Sequence, residues 1–78
     1  MKYNGILNYD GEQERYMITF DSRRPIWVHC GDCFDVFSGD KWIETSIEAT
    51  PKGQWYLTDT QIRPNSMEGL RVRWYEDD

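Results

Sequence analysis

The chain has 78 residues, enough for one domain around one core and too few for a second. Fourteen acidic residues against nine Lys and Arg leave a formal charge of −5, which argues against a duplex-DNA binder that works by phosphate neutralisation. Apolar residues make up only 38%, but aromatics reach 15%, so the core has to be assembled from a few large rings, each burying roughly 150–250 Å².

In chain order, Gly5 to Tyr9 and Arg15 to Phe20 flank the turn residues Asp10-Gly11-Glu12-Gln13. Leu7 and Tyr9 alternate before the turn, and Tyr16, Ile18 and Phe20 after it, which is a hairpin pattern. Asp21 to Pro25 is turn-rich, and its proline excludes a central strand position. The stretch from Trp27 to Phe37 then predicts two strands around a tight turn at Gly31-Asp32, with glycine taking the positive φ such a loop requires. A third strand, Trp42 to Glu48, completes a predicted meander with Ile43, Thr45 and Ile47 on one face and Trp42, Glu44, Ser46 and Glu48 on the other.

Thr50-Pro51-Lys52-Gly53 reads as a turn, and Gln54 to Thr58 as a short strand. Asp59 to Gly69 has no clear period and contains Pro64, which suits a long loop with room for one helical turn. Leu70 to Tyr75 closes the chain as a strand, with Leu70, Val72 and Trp74 inward and Arg71, Arg73 and Tyr75 outward. About seven short strands with turns every eight to twelve residues describe an all-β domain over residues 1–78, a small antiparallel barrel or strongly bent sheet of SH3-like or OB-like kind. Residues 76–78 form an acidic C-terminal tail. No basic-then-apolar leader and no run of about 20 apolar residues is present, which places the protein in the cytoplasm as an expectation.

The chemistry-bearing residues gather in His29-Cys30-Gly31-Asp32-Cys33. Two thiolates separated by two residues suit half of a tetrahedral zinc site, and no second Cys pair completes it within the chain. The expectation is therefore no cofactor. Cys30 and Cys33 are read as small residues packed beside the turn, a metal shared between two chains through both pairs being the competing reading. A redox pair would need a helix N-terminus to depress the thiol pKa, whereas these flanks are strand-like. In a regular strand His29 faces away from Cys30, so a nucleophile and its base are not assembled, and the chain is expected not to be an enzyme.

The four Trp are expected to serve mainly as core, with Arg71 and Arg73 pairing with nearby acids. The stripe Arg71, Arg73 and Tyr75 also has the cation and ring chemistry that tracks a single nucleic-acid strand, and the net charge ranks that second. The leading expectation is a protein-binding module whose contacts are Asp32, Asp35, Asp40, Glu44 and Glu48, gathered by the meander.

The run His29-Cys30-Gly31-Asp32-Cys33-Phe34-Asp35-Val36, then Gly39-Asp40-Lys41-Trp42-Ile43 with Thr45 and Ile47-Glu48, then Trp55-Tyr56-Leu57 and Gly69-Leu70-Arg71-Val72-Arg73, resembles a family of small uncharacterised domains of Gram-positive bacteria and their phages and plasmids. The family carries no assigned activity, so no catalytic or binding residue transfers. The resemblance implies a mobile-element context. Small acidic proteins of that context look like inhibitors of host defence nucleases, of anti-CRISPR or anti-restriction kind, which offer carboxylates in place of phosphates.

Overall fold

The computed structural model describes residues 1–76. Seven antiparallel strands are present: β1 (Lys2–Asp10), β2 (Arg15–Phe20), β3 (Ile26–Trp27), β4 (Cys33–Ser38), β5 (Lys41–Ala49), β6 (Trp55–Leu57) and β7 (Arg71–Tyr75). Their spatial order is β3-β2-β1-β7-β4-β5-β6. Two meanders, β1-β2-β3 and β4-β5-β6, are thus joined by the last strand, which pairs with β1 on one side and β4 on the other. The sheet is strongly bent and stays open, with the short strands β3 and β6 as its edges. Such short edges offer little template for pairing with another chain.

Alternation decides which side faces the core. Leu7, Tyr16, Ile18, Phe34, Val36, Ile47, Leu57 and Val72 point inward from six strands, and the loop residues Val28 and Met67 fill the space between them. The expected faces of β5 and β7 are observed: Thr45 and Ile47 are buried, as is Val72, while Arg71 and Tyr75 are exposed. Thr45, the buried polar side chain of β5, donates its hydroxyl to the Thr58 carbonyl at 2.5 Å, so its burial leaves no polar group stranded. The tryptophans meet the expected core role only in part, Trp55 and Trp74 packing against the buried cluster from its margin. Trp27 is 41% exposed, and Trp42, Trp55 and Trp74 are half-buried, so the innermost core is mainly aliphatic around Phe34.

The stretch around Gly31 is the main correction. It is not a hairpin: β3 pairs with β2, whereas β4 pairs with β5 and β7. The backbone groups that a β3–β4 ladder would need are already committed, since Val28 N–H donates to Tyr16 O at 3.0 Å. The chain instead crosses from one meander to the other through a β-turn closed by Asp32 N–H to His29 O at 3.0 Å, with Gly31 at the third position with φ +92°. Gly31 N–H then donates to Ile47 O, and Ile47 N–H to Asp32 O, so that two residues face one in the manner of a β-bulge. The two-residue hairpin falls on the second Gly-Asp of the chain, Gly39-Asp40, between the paired Ser38 and Lys41, with Gly39 at φ +67°. The meander is accordingly β4-β5-β6, shifted one strand along from its expected place.

The segment after β6 is a long loop with a single 3-10 turn at Pro64–Ser66, as its composition suggests. It returns along β1, where Leu7 N–H donates to Leu70 O at 2.8 Å and Gly69 N–H to Leu7 O at 2.7 Å. Met67, fully buried, anchors it. Of the expected acidic tail, Glu76 is held in the fold: Arg23 Nη1 meets its carboxylate at 2.6 Å and Trp74 Nε1 donates to it at 3.0 Å. Asp77 and Asp78 lie outside the described residues.

Candidate binding surface

The outer face of β7, β4 and β5 is where the two sets of candidate residues meet. Register sets Arg73 opposite Asp35, and Asp35 opposite Glu44, so a cation, a shared acid and a second acid run in one row across three strands. Arg73 Nη2 donates to Asp35 Oδ2 at 3.1 Å, and the Tyr75 hydroxyl donates to the same oxygen at 2.5 Å. That hydrogen bond favours the neutral phenol and raises the Tyr75 pKa above its ordinary value, with burial and the negative charge of Asp35 adding to it.

An aromatic row lies alongside. Phe37 and Trp42 face each other across β4 and β5, with ring centroids 5.1 Å apart in an edge-on arrangement. The Arg73 guanidinium stacks 4.1 Å from the Trp42 centroid, and that of Arg71 lies 4.9 Å from Phe37 and 5.7 Å from Trp42. Arg73 is therefore pinned between a carboxylate and an indole, and its Nε is buried without a partner. The expectation that Arg73 pairs with an acid is met. Arg71 rests on rings instead.

The five expected acidic contacts do not form one cluster. Asp35 is occupied by Arg73 and Tyr75. Asp32 accepts the His29 backbone N–H at 2.7 Å and so stabilises its own turn. Asp40 is exposed in the β4–β5 turn. Glu44 and Glu48 both project from the outer face of β5, Glu48 opposite the exposed Tyr56 of β6. Among the described residues, Asp40, Glu44 and Glu48 form no ion pair. Alternation already sets Trp42 on the face of Glu44 and Glu48, whereas only strand register reveals that Phe37 stands across from Trp42 and Tyr56 across from Glu48.

Cys30 and Cys33 are free and exposed, which corrects the expectation that they pack beside the turn. The crossing segment leaves the core at Val28 and re-enters it at Phe34, so the residues between them have no interior to occupy. Cys33 Sγ lies 3.5 Å from Gly31 O, and His29 Nδ1 3.8 Å from the Asp32 carboxylate. Among the described residues no three His, Cys, Asp or Glu side chains converge as metal ligands, so a metal at Cys30 and Cys33 would require donors from a second chain.

Residues 5–74 match the family described as a domain of unknown function, DUF5348. The chain belongs to that family. A crystal structure of a protein from Ruminococcus gnavus is similar to it, with 41% sequence identity over 90% of this chain and 97% of the other, and a TM-score of 0.77. No curated protein matches the sequence significantly. The DUF5348 match spans both meanders and β7, so the outer face and the crossing turn both lie inside the family domain.

Proposed function

We propose that the protein is a non-enzymatic binding module that docks a basic surface of another protein on the outer strip of β5 and β6. The observation that supports this reading is the pairing of two outward carboxylates, Glu44 and Glu48, with the exposed ring of Tyr56 on one edge of the sheet, none of the acids engaged within the described chain. Exposed carboxylates beside an aromatic ring offer charge complementarity to Lys and Arg and an apolar contact for their stems. A net charge of −5 steers such a partner in. In its sharpest form the partner is a nucleic-acid-handling defence protein encountered in the cytoplasm of a host of mobile elements, its phosphate-binding groove covered by these carboxylates.

Affinity capture from the native host, with the wild type and with Glu44→Lys/Glu48→Lys side by side, tests the reading. A partner retained by the wild type and lost on charge reversal is expected. Recovery of the same proteins with both baits refutes it.

A second reading, single-stranded nucleic acid bound through Arg71, Arg73 and Tyr75, draws support from the exposure of Arg71 and Tyr75 and from the stacking of Arg71 near Trp42. It ranks lower because Arg73 and Tyr75 are already committed to Asp35. A gel shift with short single strands at low salt, weakening steeply as salt rises, would favour it over protein docking.

A further inference from the structure

We infer that the cleft at the open mouth of the bent sheet is a docking groove for a proline-rich segment in the polyproline II conformation. It lies on the side of the sheet opposite Glu44 and Glu48 and does not depend on the reading given for that face. The end of β1 supplies Tyr9, the start of β2 Tyr16, the start of β6 Trp55, and the long loop Pro64, around an open cleft of about 410 Å³. The bend of the sheet brings these elements together although β2 and β6 are not paired. Tyr9 and Tyr16 meet with centroids 5.1 Å apart at 69°, and Tyr16 and Trp55 at 6.4 Å and 75°. Rings set edge to face leave ridges and furrows, into which a small saturated ring packs better than onto a flat stack.

The hydrogen-bonding groups narrow the choice of occupant. Among the described residues, neither the Tyr16 hydroxyl nor the Trp55 indole N–H has an acceptor, and the one buried side-chain nitrogen or oxygen without a partner is Arg73 Nε on the other face. Both groups therefore reach solvent, even though Tyr16 as a whole is only 8% exposed. Two donors open to solvent among aromatic ridges are free to bond a ligand that is apolar, rich in acceptors and poor in N–H groups. A helix spends its carbonyls internally. A polyproline II segment makes no internal hydrogen bonds, presents its carbonyls outward, and at each proline has no N–H to strand. Its preset backbone also lowers the ordering cost of binding.

Charge gives the groove a direction. Glu68 accepts the Tyr9 backbone N–H at 2.8 Å, and Glu12 and Glu14 are exposed in the turn just beyond the Tyr9–Tyr16 pair, whereas Lys52 precedes Trp55 at the other end. The segment that fits carries Arg or Lys at the end lying over the tyrosines.

The test is titration of the full-length ¹⁵N-labelled chain with a synthetic proline-repeat peptide ending in arginines, followed by NMR. The Trp55 indole resonance should shift and saturate while those of Trp27 and Trp74 stay put, and a glycine-serine peptide with the same arginines should move nothing. Trp55→Phe, which keeps a ring and removes the donor, should weaken binding about tenfold, the change expected for one lost hydrogen bond of about 1.4 kcal/mol. Tyr9→Ala, at a ring 45% exposed, should weaken binding while the circular dichroism spectrum stays that of the folded protein. A Trp55 resonance that is unmoved at millimolar peptide, or an equal response to the glycine-serine peptide, overturns the proposal. Glu44→Lys/Glu48→Lys should bind the peptide like the wild type, so this groove and the outer strip succeed or fail separately.

Discussion

Gly5→Ala is the most discriminating single change, because two physical effects of opposite sign compete there. Gly5 lies in the middle of β1, opposite Phe20 of β2 on one side and Val72 of β7 on the other, on the inward face. Considering backbone entropy alone, alanine would stabilise the protein by about 0.4–1 kcal/mol through restriction of the unfolded chain. Packing opposes this. A Cβ at Gly5 would lie 2.6 Å from Ile18 Cγ2, 2.7 Å from Thr19 O and 3.0 Å from Phe20 Cδ1. Ile18 is fully buried, and Thr19 O belongs to backbone of the paired strand β2, so neither can yield without moving the β1–β2 pair. Overpacking of this kind costs about 1–3 kcal/mol, which outweighs the entropic gain and leaves a net loss of about 1–2 kcal/mol. For a domain of this size that lowers the melting temperature by about 5–15 °C. Thermal and urea unfolding followed by circular dichroism provide the measurement. A Gly5→Ala protein as stable as the wild type, or more so, refutes the packing argument.

Two further outcomes follow from the core and the charged contacts. Met67→Ala should cost about 2–5 kcal/mol, because it empties a fully buried site holding the long loop against the sheet, whereas Met67→Leu should cost less than about 1.5 kcal/mol; equal urea midpoints for the two variants would contradict the anchoring role. Stability should also fall at both ends of the pH range. The Arg23 and then the Trp74 hydrogen bonds hold the Glu76 pKa below its usual value, and the Trp27 indole does the same for Asp10, so their contributions are present above the ordinary carboxylate range and fade as pH falls through it. Burial raises the Tyr16 pKa and the bond to Asp35 raises that of Tyr75, so their contributions hold below the usual tyrosine value and fade as pH rises beyond it. A melting temperature that stays flat through both limits would count against these contacts.

Most of the strands were legible in the sequence because alternation is a local signal. Residues Arg15 to Phe20 and Leu70 to Tyr75 declare their inward faces without reference to any partner, and the structure keeps those faces. The crossing at Gly31 was not legible. Gly31-Asp32 and Gly39-Asp40 are the same dipeptide in similar surroundings, and both glycines adopt positive φ, yet one closes a hairpin and the other bridges two meanders. What separates them is the partner already taken by the preceding strand, which is a long-range fact. The candidate surface shows the same division. Glu44 and Glu48 were readable as outward residues, whereas the capture of Asp35 by Arg73 and Tyr75 spans 38 and 40 residues of chain.

The sequence by itself determined an all-β domain of about seven strands, an acidic surface and the sidedness of most strands, because these depend on composition and on a period of two. Tertiary structure alone decided that the last strand lies at the centre of the sheet, that both cysteines face solvent, and that Tyr9, Tyr16 and Trp55 from three separate strands converge on one cleft. The reason is the same in each case. Pairing order and the bend of the sheet bring together residues remote in the chain, and no local pattern encodes which strand edge a segment will find.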